Sequence, residues 1–502
     1  SSIHGTTSNA NTSVHSLNAG AGDIRILGFN VFLGGGTITG NIIDVGSFVS
    51  GGNAGDFGVG SAVVTSNQVF VSQATTINGN VGGSSLVDFD STGSLQLDAA
   101  LTVNSTNDIT VTSSAVDSLG GGAVSPLNLT STAGSITINA DLQSSSGNAF
   151  TLDAASNITT QFIKSGGSPV AFLSNLTAGN LLTINNFNAT EGSLTAISGG
   201  LTTVNGSFIT NGGDVNITSN GGVLITTNMD TAAGDISITN STVGLINFNP
   251  GFSTTSGNVT LTNNANVAAG VQSGFIDFGS DITTDSGNVT IQALGDGNVF
   301  IPTFVTNTGD FAISATSGSI LFDGQGSGTN LSGSGNFSAS TVSGDITFTA
   351  PITAVSGSSL SINSGGSINM SGAVNTNGGS FSASGLNAVF LSTTFNTSGG
   401  DFSVLATNGN MDLIGPQVST SGGNIVLTSQ GSGFVHTDSI LDAGSGDITI
   451  TTDNDAFIHN SVTGTGSLLI QPFTAGTSLD VGNGGGSQLI IDSGAISLFN
   501  SA

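Results

Sequence analysis

Short apolar-polar-apolar triplets run along the chain, each entered by a glycine and then by Asp, Asn or Ser. The pattern reads GDVNI at Gly213, GDISI at Gly234, GNVTL at Gly257, GNVTI at Gly287 and GDFAI at Gly309. It continues as GNFSA at Gly335, GSFSA at Gly379, GDFSV at Gly400, GNIVL at Gly423, GDITI at Gly446 and GSLLI at Gly466, with SSLSI at Ser358–Ile362 filling the gap. Most spacings lie between 20 and 23 residues, while 30 before Gly287 and 26 before Gly335 predict loop insertions. Alternation with period two predicts half-buried strands, and a fixed period of this length predicts a solenoid.

Each period holds more than one strand. A second apolar pair follows the glycine by 11 to 13 residues: Ile320 and Phe322, Ile368 and Met370, Met411 and Leu413, and Phe434 with His436. A third apolar position comes later, at Ile282, Val305, Val374, Phe395, Val418 and Ile440. Three short strands per coil of about 20–23 residues predict an all-β fold, a right-handed parallel β-helix (β-solenoid). At a rise of about 4.8 Å per coil, roughly 20 coils would make a rod on the order of 100 Å long. Gly at the corner is expected to supply left-handed backbone angles. The mixed Asp, Asn and Ser column after it is expected to carry Asn–Asn ladder bonds while diluting carboxylate repulsion.

The first part of the chain is less regular, although GDIRI at Gly22, NDITV at Asn107 and GSITI at Gly134 share the grammar, and GGG at Gly34 and Gly120 predict excursions. Three segments are expected: a polar leader without strands at 1–20, an irregular solenoid at 21–190, and regular coils at 191–502. The last residues, Ile490–Ala502, still read as strand, so an uncapped end predicts end-to-end self-association into a fibre.

Composition narrows function. Lys and Arg number 2 against 30 Asp and Glu, a formal charge of −28. So few cations exclude phosphate-backbone recognition, hence nucleic acid, and adhesion to anionic membrane. No apolar run reaches the roughly 20 residues of a membrane helix, so no membrane insertion is expected. With no Cys there is no disulfide framework or thiolate site. Without an initiator Met or a signal peptide, the sequence is expected to be a processed product or a fragment.

Over residues 90–490, triplets such as GDITI and GNVTL in coils of about 22 residues resemble the secreted bacterial exoproteins related to filamentous haemagglutinin, the large adhesins of two-partner secretion. The resemblance implies secretion, an elongated solenoid, and adhesive or structural work at the cell surface against a glycan or surface receptor. The NPNG-type motif of that family's amino-terminal secretion domain is absent.

Candidate chemistry is sparse. His436 and His459 stand 23 residues apart, as do Phe434 and Phe457, which predicts equivalent slots and a stacked imidazole ladder. With Asp453 and Asp455 they are the weak metal-ligand candidates; a zinc site needs three or four ligands, and Asp438 and Asp455, though near in sequence, do not occupy equivalent positions. His4 and His15 lie in the polar leader. Plentiful oxygen donors make structural Ca²⁺ the favoured metal, and GGNAGDF at Gly51 is similar to a calcium-roll nonapeptide that does not recur. No other cofactor is expected.

Asp88 with Asp90, and Asp453 with Asp455, form D-x-D pairs of the kind that run glycoside hydrolysis. Polysaccharide binding or cleavage is therefore the alternative to a non-catalytic role. Against cleavage, Arg25 and Lys164 are the only basic side chains, and Tyr and Trp are absent. Sequons such as Asn128-Leu129-Thr130 occur at the rate this composition gives by chance. Outward Thr at Thr137, Thr260, Thr290, Thr347 and Thr449 predicts an imperfect array of the sort that binds ice or a crystalline surface. The leading expectation is a secreted, non-enzymatic fibre subunit or adhesin shaft.

Overall fold

The computed structural model describes the chain apart from residues 1–2, 7–11, 15, 20–23, 28–29, 41, 46–67, 80–85, 91–93, 98, 119–126, 145–148, 166–172, 250–251, 266–274, 280–281, 302–303, 307–308, 324–328, 332–334, 355–356, 482–488, 492–497 and 502. Every regular element among the described residues is a strand, and the strands form a parallel β-solenoid with three sheets. None of the described residues forms a helix long and apolar enough to cross a membrane. The chain divides into two compact units, Ser1–Ile238 and Thr239–Ala502.

In the second unit each coil reads five residues, a corner, three residues, a corner, two or three residues, a corner. First-sheet strands run from Val259–Asn263 to Leu468–Gln471 and pair residue for residue, as in Phe381↔Phe402, Phe402↔Ile425 and Ile425↔Ile448. Second-sheet strands run from Ile246–Phe248 to Ala456–Ile458, and third-sheet strands from Phe252–Thr254 to Val462–Gly464. Alternation puts one side of strands such as Phe381–Gly385 and Phe402–Ala406 inward, and the core is a column of stacked side chains. Phe322 lies on Phe348 with ring centroids 4.2 Å apart and planes at 3°, and Phe381 lies on Phe402 at 5.1 Å and 15°. Such rings bury the largest apolar area per residue and supply much of the cohesion between coils.

Two corner devices fix the coil spacing. Before the first-sheet strands of this unit stands the glycine of the triplet, except at Leu360–Ser364, where Ser358 takes the slot. A Cβ on Gly400 would lie 2.2 Å from the Gly379 carbonyl oxygen, one on Gly423 2.1 Å from that of Gly400, and one on Gly446 2.0 Å from that of Gly423. These glycines are required by close backbone approach, and they are not among the positive-φ residues. That corrects the expectation of left-handed angles there.

The left-handed residues stand just before, in a Thr-x-x-Gly corner. Ser398 and Gly399 have φ of 51° and 115°, and Ser421 and Gly422 have 55° and 131°. The preceding Thr397 and Thr420 are buried, and their hydroxyls donate to the carbonyls of Gly400 and Gly423. The Asp/Asn column bonds to backbone instead of forming Asn–Asn ladders. Asp401 Oδ1 accepts from Asn424 N at 2.8 Å, and Asn424 Oδ1 accepts from Asp447 N at 2.9 Å. Amide and carboxylate serve equally as acceptors, which explains the mixture.

The first unit turns one corner differently. Ile109–Ser118, Ile136–Ser144 and Ile158–Ser165 are long strands that pass the corner unbroken, with a register shift between Ile138 and Asp141 in the pairing of the last two. The halves of Ile158–Ser165 then pair with two separate strands, Leu182–Ile184 and Phe187–Asn188. Within this unit the glycine grammar opens two different columns. NDITV and GSITI enter the long strands, whereas GDVNI enters Val215–Ser219, which pairs with Ser193–Ser198.

Several expectations need correction. The expected leader already pairs: Ile3–Thr6 lies parallel to Ile24–Leu27. In the second strand Val435 and Thr437 point inward, not Phe434 and His436; in the third, Leu441 is buried in place of Ile440, and Phe304 occupies the register of Ile282, not Val305. One residue of slip exchanges the two faces of a strand. Thr347 belongs to the second sheet, between Leu321 and Asn369, and Thr137 follows Thr110 in a long-strand column, so neither joins Thr260 and Thr290 in one array. Residues 51–57 and 120–122, where GGNAGDF and the second GGG stand, lie outside the described residues.

Candidate functional site

The one group of ligating side chains that gathers among the described residues is built on three successive second-sheet strands, Met411–Leu413, Val435–Thr437 and Ala456–Ile458. Met411, Leu413, Val435, Thr437, Ala456 and Ile458 are buried, so the middle residues Asp412, His436 and Phe457 face outward. They are register partners: Asp412↔His436 and His436↔Phe457. The next residue along each coil begins the corner and also stacks, for Asp438 N donates to Leu413 O and His459 N to Thr437 O. Buried Thr437 and Ser439 pin this corner, the Ser439 hydroxyl donating to Gly415 O at 2.6 Å.

The outcome is a diagonal chain of contacts across two columns. His436 Nδ1 lies 2.9 Å from Asp412 Oδ1, and His436 Nε2 lies 3.2 Å from Asp438 Oδ1. His459 Nδ1 lies 2.9 Å from the same Asp438 oxygen. Side-chain exposure rises outward, from 17% at Asp412 and 24% at His436 to 48% at Asp438 and 53% at His459. The hydrogen bond from His459 holds the Asp438 carboxyl below the usual carboxylate range; burial opposes this, and the charges of both imidazoles and the His436 bond add to it.

The two imidazoles are therefore not a ladder of equivalent slots. Their rings meet edge to face, with centroids 5.1 Å apart and planes at 72°. The cause is corner length. Five residues separate Ile425–Ser429 from Val435–Thr437, but only three separate Ile448–Thr452 from Ala456–Ile458. A coil of 23 in the first sheet thus becomes a step of 21 in the second, and His459 lands beside Asp438, not beside His436.

Of the four sequence candidates, only His436 and His459 come together. Asp453 is engaged elsewhere, accepting from the Thr474 N–H at 2.6 Å and from its hydroxyl. Burial pushes the Asp453 carboxyl up, but the bonds from Thr474, Phe473 and Thr477 outweigh it and leave it low. Asp455 precedes the strand and contributes its carbonyl to Val435 N. Sequence reasoning missed Asp412, whose only signal was its place between two inward apolar residues one coil before His436. It also set Asp438 aside as non-equivalent, which the diagonal makes irrelevant. His4 lies on a strand whose side chains are not described, and His15 is outside the described residues. Lys164 is paired with Asp141 at 2.7 Å.

A second outward feature is a depression of about 360 Å³ lined by Leu245, Phe275, Asp277 and Phe300. Burial raises the Asp277 carboxyl above its ordinary value. Its register partners are Asn247 and Phe300, so no second carboxylate faces it along the column.

Fold and corner chemistry thus define a three-sheet parallel β-solenoid with varied outward columns on a repeated interior. No family model matches the chain, and no curated protein or solved structure shows significant similarity to it.

Proposed function

We propose that this is a secreted, non-catalytic structural and adhesive solenoid, a subunit or shaft element of an extracellular fibre or surface adhesin, related to the filamentous-haemagglutinin type of exoprotein. The observation that carries the reading is the residue-for-residue stack of the second unit, where the inward column is held while the outward one changes freely. The outward first-sheet column reads Thr290, Ala312, Ser338, Ser361, Ser382, Ser403, Val426 and Thr449. Such a wall is stiff, its backbone is tied coil to coil, and its 2 basic residues leave trypsin-like proteases little to cut. End-to-end self-association is part of the proposal. Leu468–Gln471 keeps Leu468 and Leu469 exposed while pairing with Ile448–Thr452. Neighbouring exposed apolar side chains offer another chain a surface to bury.

Polysaccharide binding is the second reading, favoured by the apolar depression at Phe275, Asp277 and Phe300. Cleavage is disfavoured there, because glycoside hydrolysis uses two carboxylates flanking the bond. Negative-stain electron microscopy of the purified full chain tests the proposal. Filaments, or particles that bind glycan or cells without turnover, are expected. Monodisperse particles that degrade a polysaccharide would overturn it.

A further inference from the structure

We propose that His436, Asp438 and His459 bind one divalent cation of the Zn²⁺, Ni²⁺ or Cu²⁺ class, with Asp412 as a positioning residue that orients His436. The argument starts from donors and acceptors. A carboxylate only accepts, and a neutral imidazole has one N–H and one lone pair. Asp412 at 2.9 Å takes the Nδ1–H of His436, which turns the Nε2 lone pair toward Asp438 Oδ1 at 3.2 Å. With His436 neutral, two acceptors face each other across this gap, and a cation placed between them satisfies both. Asp438 also faces His459 Nδ1 at 2.9 Å, so the same spot is approached by a second ring nitrogen.

A metal ion answers all three groups at once. One ligand atom from each of the three residues lies within 4.8 Å of the others. Bonds of about 2.0–2.1 Å in tetrahedral geometry put donors roughly 3.3 Å apart. Two of the three separations already stand at 3.2 and 2.9 Å. Asp412 to His436 is the carboxylate–histidine arrangement that fixes the tautomer and raises ligand basicity in metal sites. Two nitrogens among three donors select a borderline cation over Ca²⁺, which takes six to eight oxygens. The exposure of Asp438 and His459 leaves a coordination position for water or a group from another molecule.

Titration calorimetry of the full chain with ZnCl₂ near neutral pH tests this. One Zn²⁺ per chain at micromolar affinity, undisturbed by millimolar CaCl₂, is expected. His459→Gln, an exposed change, should weaken binding about 100-fold, and Asp412→Asn about 10- to 100-fold with all three ligands kept. A His4→Gln/His15→Gln chain should bind as the parent does. Co²⁺ gives an independent readout: its visible d–d absorption should appear in the parent and vanish in His459→Gln, with unchanged far-ultraviolet circular dichroism. Absence of Zn²⁺ binding by the parent, or parental affinity in a His436→Gln/His459→Gln chain, would overturn the proposal.

Discussion

The early coils of the first unit turn in a different way from the coils that follow them. In Ser1–Ile238, strands such as Ile136–Ser144 cross a corner as one bulged strand. In the later coils of that unit and in Thr239–Ala502 the corners are separate turns, and buried threonines such as Thr210, Thr231, Thr397 and Thr420 tie them to the following glycine. A bulge re-aims the chain at the cost of ladder pairing, whereas a Thr-x-x-Gly corner keeps the pairing and satisfies the turn internally. Regularity in the sequence thus reports corner chemistry: the long strands shift register where they cross the corner, and the Thr-x-x-Gly coils keep it.

The largest expected effect comes from the glycine column. Gly423→Ala should destabilise the second unit by about 3 kcal/mol, because its Cβ would meet the Gly400 carbonyl, which cannot move without shifting a coil. Urea unfolding followed by circular dichroism measures it, and a loss under 1 kcal/mol would mean that the coils are not in such close contact.

Next comes a matched pair of threonines. Thr397→Val removes the hydroxyl that satisfies Gly400 O and should cost about 2 kcal/mol. Thr160→Val in the first unit should fall within about 0.5 kcal/mol of the parent, because the buried Thr160 hydroxyl has no hydrogen-bond partner. Equal effects in the same assay would erase the distinction between the corners.

A smaller gain is expected at Ala232, which holds φ at 50°. Left-handed angles cost a non-glycine residue roughly 1–2 kcal/mol, and glycine's extra chain entropy returns roughly 0.5–1 of it. Ala232→Gly should therefore stabilise the first unit by about 0.5 kcal/mol, read as a raised thermal midpoint.

The weakest effect is electrostatic. The Ser467 backbone N–H and hydroxyl hold the Asp447 carboxyl below its ordinary value. A carboxylate depressed in the folded state adds stability above its unfolded pKa of about 3.9. That stability is lost as pH falls from there through the folded value. Asp447→Asn should remove this part of the acid dependence, as checked by unfolding midpoints between neutral pH and acid.

Much of the fold was legible because inward positions alternate strictly and the glycine recurs. Gly400, Gly423 and Gly446 announce a coil each, and the inward pairs 320/322, 368/370 and 411/413 are buried as their pattern predicts. Legibility failed where corner length changed. Phe434 is apolar and repeats at 23, yet the five-residue corner before Val435 turns both Phe434 and His436 outward. The same cause hid the site. His436 and His459 were visible as residues, but Asp412 and Asp438 become their partners only once the second sheet's successive steps of 24 and 21 are known. Thr-x-x-Gly was present in the sequence all along, at Thr376, Thr397 and Thr420, but a buried threonine's bond partner has no periodic hydrophobic signal.

The most direct measurement is a pulsed electron–electron distance between spin labels on Thr290→Cys and Thr449→Cys, in a chain that otherwise contains no Cys. Both positions lie on the outward first-sheet column, and the register places them seven pairings apart. At about 4.8 Å per pairing, the account predicts a narrow distribution centred near 34 Å. A broad distribution, or one centred well beyond 45 Å, would contradict the in-register stack on which the corners, the diagonal site and the proposed function all depend.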